Sequence, residues 1–448
     1  MKNTKTNTGS FATSKPQTKM RSILTIVLIA LIGFSIAACK NNTTLNNGDP
    51  DSSTGPVVTN PDTPTKPIVP NPGTPTNPVV PNPGTPTNPV VPDPGTPQGF
   101  RDITAAELVA EIKIGWNLGN TLDAHNLTWL GANPTVNQME TAWGVPTTTK
   151  AMITSIKNAG FNAIRIPVSW TKAASGAPNY TIRADWMARV KQIVDYAVDN
   201  DMYIILNTHH DEDVLTFMNS NAAAGKAAFQ KLWEQIAVTF KDYNEKLIFE
   251  GLNEPRTPDS SGEWNGGTAE ERTNLNSYYP IFVNTVRSSG GNNGKRVLII
   301  NPYAASAEAS AMNALTLPTD SAANKLIVSF HSYSPYDFAL NKDSPKDTWS
   351  KSNSGDTSPI TGPIDRYYNK FVNQGIPVII GEFGAMNKNN EAVRAQWAEY
   401  YIGYARSKNI KCFWWDNNVT SGTGEKFGLL NRNNNSFAYP DLLNAMMK

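Results

Sequence analysis

Between Ile112 and Met447 the chain alternates eight short apolar runs with stretches of helical patterning, and no second linker interrupts them. The runs that predict strands are Ile112–Leu118, Phe161–Val168, Tyr203–Asn207, Leu247–Gly251, Arg296–Ile300, Lys325–Phe330, Val378–Ile380 and Ile410–Trp415. The intervening stretches predict helices over Thr147–Asn158, Asp185–Asp199, Ala223–Phe240, Glu271–Arg287, Glu308–Leu315, Pro363–Gln374 and Glu391–Lys408, with a closing helix at Pro440–Met447. Apolar residues recur in them at helical spacing. Eight strands, each followed by helix, favour an α/β fold of the closed (β/α)8 TIM-barrel type over an open doubly wound sheet. The 350 residues from Gly99 onward are enough for one such barrel with a large core. Residues 119–146 predict an irregular active-site loop after the first strand. GWNLGN has neither the spacing nor the following helix of a nucleotide-binding loop.

In a parallel barrel the C-terminal strand ends converge on one face, so the residues standing there can be collected from the sequence. LIFEGLNEP, residues 247–255, runs from an apolar strand into Asn253 and Glu254 and stops at Pro255. PVIIGEFG, residues 377–384, leads through Gly381 into Glu382. Two carboxylates at the ends of two buried strands are what a retaining glycosidase requires, one as proton donor and one as nucleophile. The same face collects Asn117 and Asn120, Arg165, His209 and His210, His331 and Tyr333, and Trp415. Three of the four histidines in the chain fall at these points, which random scatter would rarely produce.

Each member also has a structural reading of its own. A lone glutamate at a strand end is commonly an ion-pair partner, and Arg165 alone would serve as a clamp under the barrel mouth. In combination, Arg165 would keep a nearby nucleophile ionised, and Tyr333 would donate a hydrogen bond to it. His209, His210 and Asp211 suggest a metal, yet further ligands would have to come from Glu254, His331 or Glu382. No HExxH or paired-cysteine spacing accompanies them, so neither a metal nor a cofactor is expected. Trp186, Trp233 and Trp397 fall on helices and predict core packing. Trp129, Trp143 and Trp264 fall in loops after strands one and four and are candidate cleft walls that stack on sugar rings.

NEP at 253–255, EFG at 382–384, RIPVSW at 165–170 and HHD at 209–211 together resemble glycoside hydrolase family 5. IKIGWNLGNTLDA from Ile112, ETAWG at 140–144 and HSYSPYDF at 331–338 resemble its bacterial endo-β-1,4-glucanase branch, subfamily 4. The resemblance covers nearly all of residues 103–448. It implies a retaining endo-β-1,4-glucanase, a cellulase acting on cellulose-type or mixed-linkage glucans, with Glu254 as general acid/base and Glu382 as nucleophile. Arg165, His209, Asn253, His331 and Tyr333 match supporting residues, His210 a substrate contact, and Trp415 the aromatic platform under the reacting sugar. The same barrel and carboxylates also serve xyloglucanases, mannanases and xylanases. A surface glycan-binding protein without catalysis would keep the aromatic residues but need neither glutamate.

The front of the chain has a different character. Residues 1–38 carry five basic and no acidic residues and end in a 17-residue apolar run, Ser22–Ala38. That is the shape of a bacterial export signal; as a membrane anchor the run sits at the short edge of what spans a bilayer. Ile36-Ala37-Ala38-Cys39 resembles a lipobox, which implies cleavage before Cys39 and lipidation of its thiol. The expected partners are therefore a β-glucan and, through the Cys39 acyl chains, a lipid membrane. The expected location is the cell surface, on the outer or the cytoplasmic membrane, or secreted if the lipobox is unused. Residues 39–98 form a linker, whose stretch 40–98 holds 16 of the 32 prolines and repeats NPGTPTNPVVP with a period of 11, predicting an extended, solvated spacer or a tail of unselected length. The domain from Gly99 to Lys448 is expected to be monomeric, with Cys412 a small buried hydrophobe. Without the leader's five basic residues the chain has 34 basic and 38 acidic side chains, a net of −4, which excludes a polybasic nucleic-acid surface.

Overall fold

A computed structural model describes residues 99–448; the leader, Cys39 and the spacer lie outside the described residues. Eight parallel strands close into a barrel in sequence order. They are β1 (Gly115–Leu118), β2 (Ala163–Ile166), β3 (Tyr203–Asn207), β4 (Leu247–Glu250), β5 (Leu298–Ile300), β6 (Leu326–His331), β7 (Val378–Phe383) and β8 (Lys411–Asp416). β1 pairs with both β2 and β8, which closes the ring.

The side-chain period of two sorts each strand between two environments. Ile204, Leu206, Leu247, Phe249, Val378 and Ile380 point outward and pack under the helices, in a core that also buries Trp186, Trp233 and Trp397. Ala163, Ile205, Ile248, Ile299, Ile327, Ile379 and Phe413 point inward and fill the barrel floor. That floor is closed by a helix absent from the expected set, Ala105–Glu111. Thr104 and Glu107 form a capping box at its start, and Ala105, Leu108 and Val109 join the inward layer. The first strand is accordingly shorter than expected, because Ile112 ends this plug.

Two other expectations need correction. The helix expected from Pro363 begins at Ser354 and runs to Lys370 through Pro359 and Pro363. A proline removes one backbone hydrogen bond but does not end a helix whose other face is packed, as Ile360, Ile364 and Tyr367 are here. Residues 119–146 are not wholly irregular. They contain a short 3-10 turn, Thr128–Leu130, and a helix, Val136–Glu140, pinned by two hydrogen bonds from Arg189 to Glu140 at 2.7 and 2.8 Å.

Candidate active site

One step above the apolar floor, the inward positions of the strands turn polar. Asn117, Arg165, Asn207 and Glu250 occupy β1 to β4, and Asn301 follows β5; all five are fully buried. Such a layer is tolerable only if its groups satisfy one another. Arg165 does most of this. Its Nε donates to Glu250 at 2.7 Å, Nη1 to Asn117 at 3.1 Å and to Glu382 at 2.7 Å, and Nη2 to Asn253 at 2.6 Å. Glu250 accepts further bonds from Asn207 at 2.9 Å and Asn301 at 3.0 Å. Burial opposes the guanidinium charge, but Glu250 and Glu382 outweigh it and hold Arg165 protonated.

Glu382 reaches the cavity through a bulge. The registers of β6 with β7 and β7 with β8 both shift near it, so that His331 pairs with Glu382. Gly381 makes the bulge possible: a Cβ there would lie 2.6 Å from Ser329 Oγ and 3.0 Å from His331 Nε2. The Glu382 carboxylate then accepts from Arg165 on one oxygen and from Tyr333 Oη, at 2.8 Å, on the other. Burial, together with the Glu382 and Glu254 charges, pushes the Tyr333 hydroxyl well up, so it remains a donor.

Glu254 faces the same space. Its Oε1 lies 2.8 Å from His331 Nδ1, which is also 3.7 Å from Glu382 Oε2. Oxygens of Glu254 and Glu382 lie within 4.8 Å of each other. Burial raises the Glu254 carboxyl, but the His331 hydrogen bond and charge, with Arg256 and His210, prevail and lower it. Arg256 Nη1 stands 3.9 Å from Glu254 Oε2.

The neighbouring residues divide into those that touch this space and those that build it. Asn253 offers its Nδ2 to the cavity, since Arg165 fixes its Oδ1. His209 is buried and neutral: burial first, then the His210 and Arg165 charges, depresses it well below the usual histidine value. Asn207 Nδ2 stands 3.2 Å from His209 Nδ1, and Trp415 stacks on the ring at 6.0 Å and 4°. Asn117 belongs to the supporting layer and is not a substrate contact, because its Nδ2 is spent on the carbonyls of Gly381, Phe413 and Trp414. Asn120 takes a left-handed turn, φ 59°, and its N–H binds Asp123; its side chain is not drawn into the network.

His210 lies between His125, stacked at 4.4 Å, and Glu212, 3.2 Å from its Nδ1. Trp143 meets His125 edge-on at 5.4 Å. Trp264 is 56% exposed and lies under the Arg256 guanidinium at 4.6 Å, whereas Trp129, 66% exposed, has no described contact with the cluster. Sequence reasoning missed Asn207, Glu250, Asn301, His125 and Arg256. Inward alternation at the strand ends would have found the first three, since each stands two residues beyond an inward apolar side chain. His125 and Arg256 come from loops and left no such signal.

Comparison with known proteins gives a consistent result. The family model for cellulase (glycosyl hydrolase family 5) matches residues 128–421. The chain is 45% identical over 352 residues to the cellulase/esterase CelE of Acetivibrio thermocellus; the match covers 78% of this chain but only 41% of that protein. Among solved structures, a broad-specificity endoglucanase from Ruminococcus champanellensis with bound cellotriose is 52% identical, with a TM-score of 0.76, covering 78% of this chain and 100% of that one. A xyloglucan-specific endo-β-1,4-glucanase from a metagenomic library, in complex with cellotriose, is 42% identical with a TM-score of 0.72, covering 76% and 97%.

Proposed function

The chain belongs to glycosyl hydrolase family 5, and from that premise we propose that it is a retaining endo-β-1,4-glucanase. The observation that carries the reading is the pair of facing carboxylates, with oxygens within 4.8 Å of each other. Retaining enzymes hold their carboxyl groups about 5–5.5 Å apart, whereas inverting ones leave roughly 6.5–9.5 Å for a water. In the first step Glu254 gives its proton to the glycosidic oxygen while Glu382 attacks the anomeric carbon, forming a glycosyl ester and freeing the leaving chain. In the second, Glu254 takes a proton from water, whose oxygen attacks the same carbon and restores the Glu382 carboxylate. Arg165 and Tyr333 hold and aim the Glu382 carboxylate, one on each oxygen, His331 orients Glu254, and Asn253 and His209 offer donors to sugar hydroxyls. Trp415 is the platform, with His210, Trp143, Trp264 and Trp129 toward the outer cleft.

The substrates we assign are cellulose-type and mixed-linkage β-1,4-glucans, extending to xyloglucan. The relatives with broad and with xyloglucan specificity support that range. Parallel assays on carboxymethyl cellulose, mixed-linkage glucan, xyloglucan, mannan and xylan test it: rates on the first three should exceed those on mannan and xylan. Faster mannan or xylan cleavage would overturn the assignment. We further assign residues 1–38 as an export signal, Cys39 as the lipidated residue, and 40–98 as a spacer from the surface to the domain at 99–448. Metabolic labelling with palmitate should mark the protein and fail in Cys39→Ala; labelling that survives would refute the anchor.

A further inference from the structure

At the cleft rim lies a set of ligating groups that take no part in the proton transfers or the covalent step. His125, His210 and Glu212 each bring one donor atom within 4.8 Å of the other two. All three side chains are part-exposed, so an ion can reach them. His210 Nδ1 and Glu212 Oε1 stand 3.2 Å apart. A tetrahedral zinc-type site with nitrogen and oxygen bonds of about 2.0–2.2 Å spaces its donors about 3.4 Å apart, so this edge is already formed. The His125 ring stacks on His210, 22° from parallel, and meets the edge of Trp143, so it must turn out of that stack to aim a lone pair at an ion shared with His210; no hydrogen bond described for it opposes the turn. We propose that His125, His210 and Glu212 form a binding site for a divalent first-row transition ion such as Zn2+, with the remaining position open to water. Two imidazoles and one carboxylate suit such an ion and not Mg2+ or Ca2+, which take oxygen ligands.

The opposing charge is Arg256, whose Nη1 donates to Glu212 at 2.8 Å. The ion must share Glu212 with it, which weakens binding. Arg256 also stands 3.9 Å from Glu254, so an ion that takes Glu212 from Arg256 changes the charge balance beside that carboxylate and slows cleavage. This consequence rests on the hydrolase reading; the binding itself does not.

Titration of the full chain with Co2+ at mildly alkaline pH tests the site through the visible absorption of the bound ion. One ion per chain is expected, with affinity falling at least about 10-fold in His125→Ala and in Glu212→Gln. It should be unchanged in Glu382→Gln, which alters the second cluster of possible ligands, Glu254, His331 and Glu382. No Co2+ binding, binding indifferent to His125→Ala, or binding lost in Glu382→Gln would each overturn the proposal. Zn2+ should inhibit glucan hydrolysis by the unaltered chain more than by His125→Ala. Should the chain prove inactive, the Co2+ result still decides the site while the hydrolase reading falls separately.

Discussion

Arg165 holds one charge between two buried carboxylates, so its removal has two separable consequences. Arg165→Met leaves Glu250 without its ion partner in a fully buried position, and a broken buried pair costs about 3–5 kcal/mol. It also releases Glu382. We therefore expect a lower unfolding midpoint in urea together with a kcat reduced by at least about 100-fold. Tyr333→Phe separates the two effects: it loses one hydrogen bond to Glu382 and should cut kcat with little change in stability. At the other carboxylate, Glu254, Arg256 adds to the stronger pull of His331. The Arg256 charge favours ionised Glu254, so Arg256→Gln lets that group keep its proton to higher pH. The basic limb of the kcat/KM profile should move upward in pH, since Glu254 must be protonated to act as acid. An unmoved limb would mean that Glu254 does not set it.

The strands and most of the helices could be predicted because each carries a long apolar signal. The helix Ser354–Lys370 starts before the expected Pro363 because its first turns carry little apolar signal, and Ala105–Glu111 escapes prediction because a seven-residue plug is too short to show a clear period. The strand-end glutamates, histidines and Arg165 were visible from position alone. The polar layer behind them follows from the inward alternation carried two residues further, but its purpose shows only when closure of the barrel turns Asn207 and Asn301 toward Glu250. The β7 bulge is a property of an element and depends on one residue. Gly381→Ala forces a Cβ against Ser329 and His331, and we expect kcat to fall because Glu382 and His331 are displaced together. Full activity in that variant would show that the bulge has slack.

At the scale of the molecule, the barrel is complete within residues 99–448, from the plug at Ala105 to the closing helix Pro440–Met447. Deleting residues 1–98 should therefore leave kcat/KM on soluble glucan unchanged, measured beside the full chain. The central claim is that Glu254 and Glu382 act across a single glycosidic bond, with Glu382 bonded to the sugar between the two steps. A 2-deoxy-2-fluoro cello-oligosaccharide with a good leaving group, followed by peptide mass spectrometry, tests it most directly. One glycosyl unit on the peptide containing Glu382 is the predicted result; a label on another residue, or turnover with inverted anomeric configuration and no adduct, would contradict it.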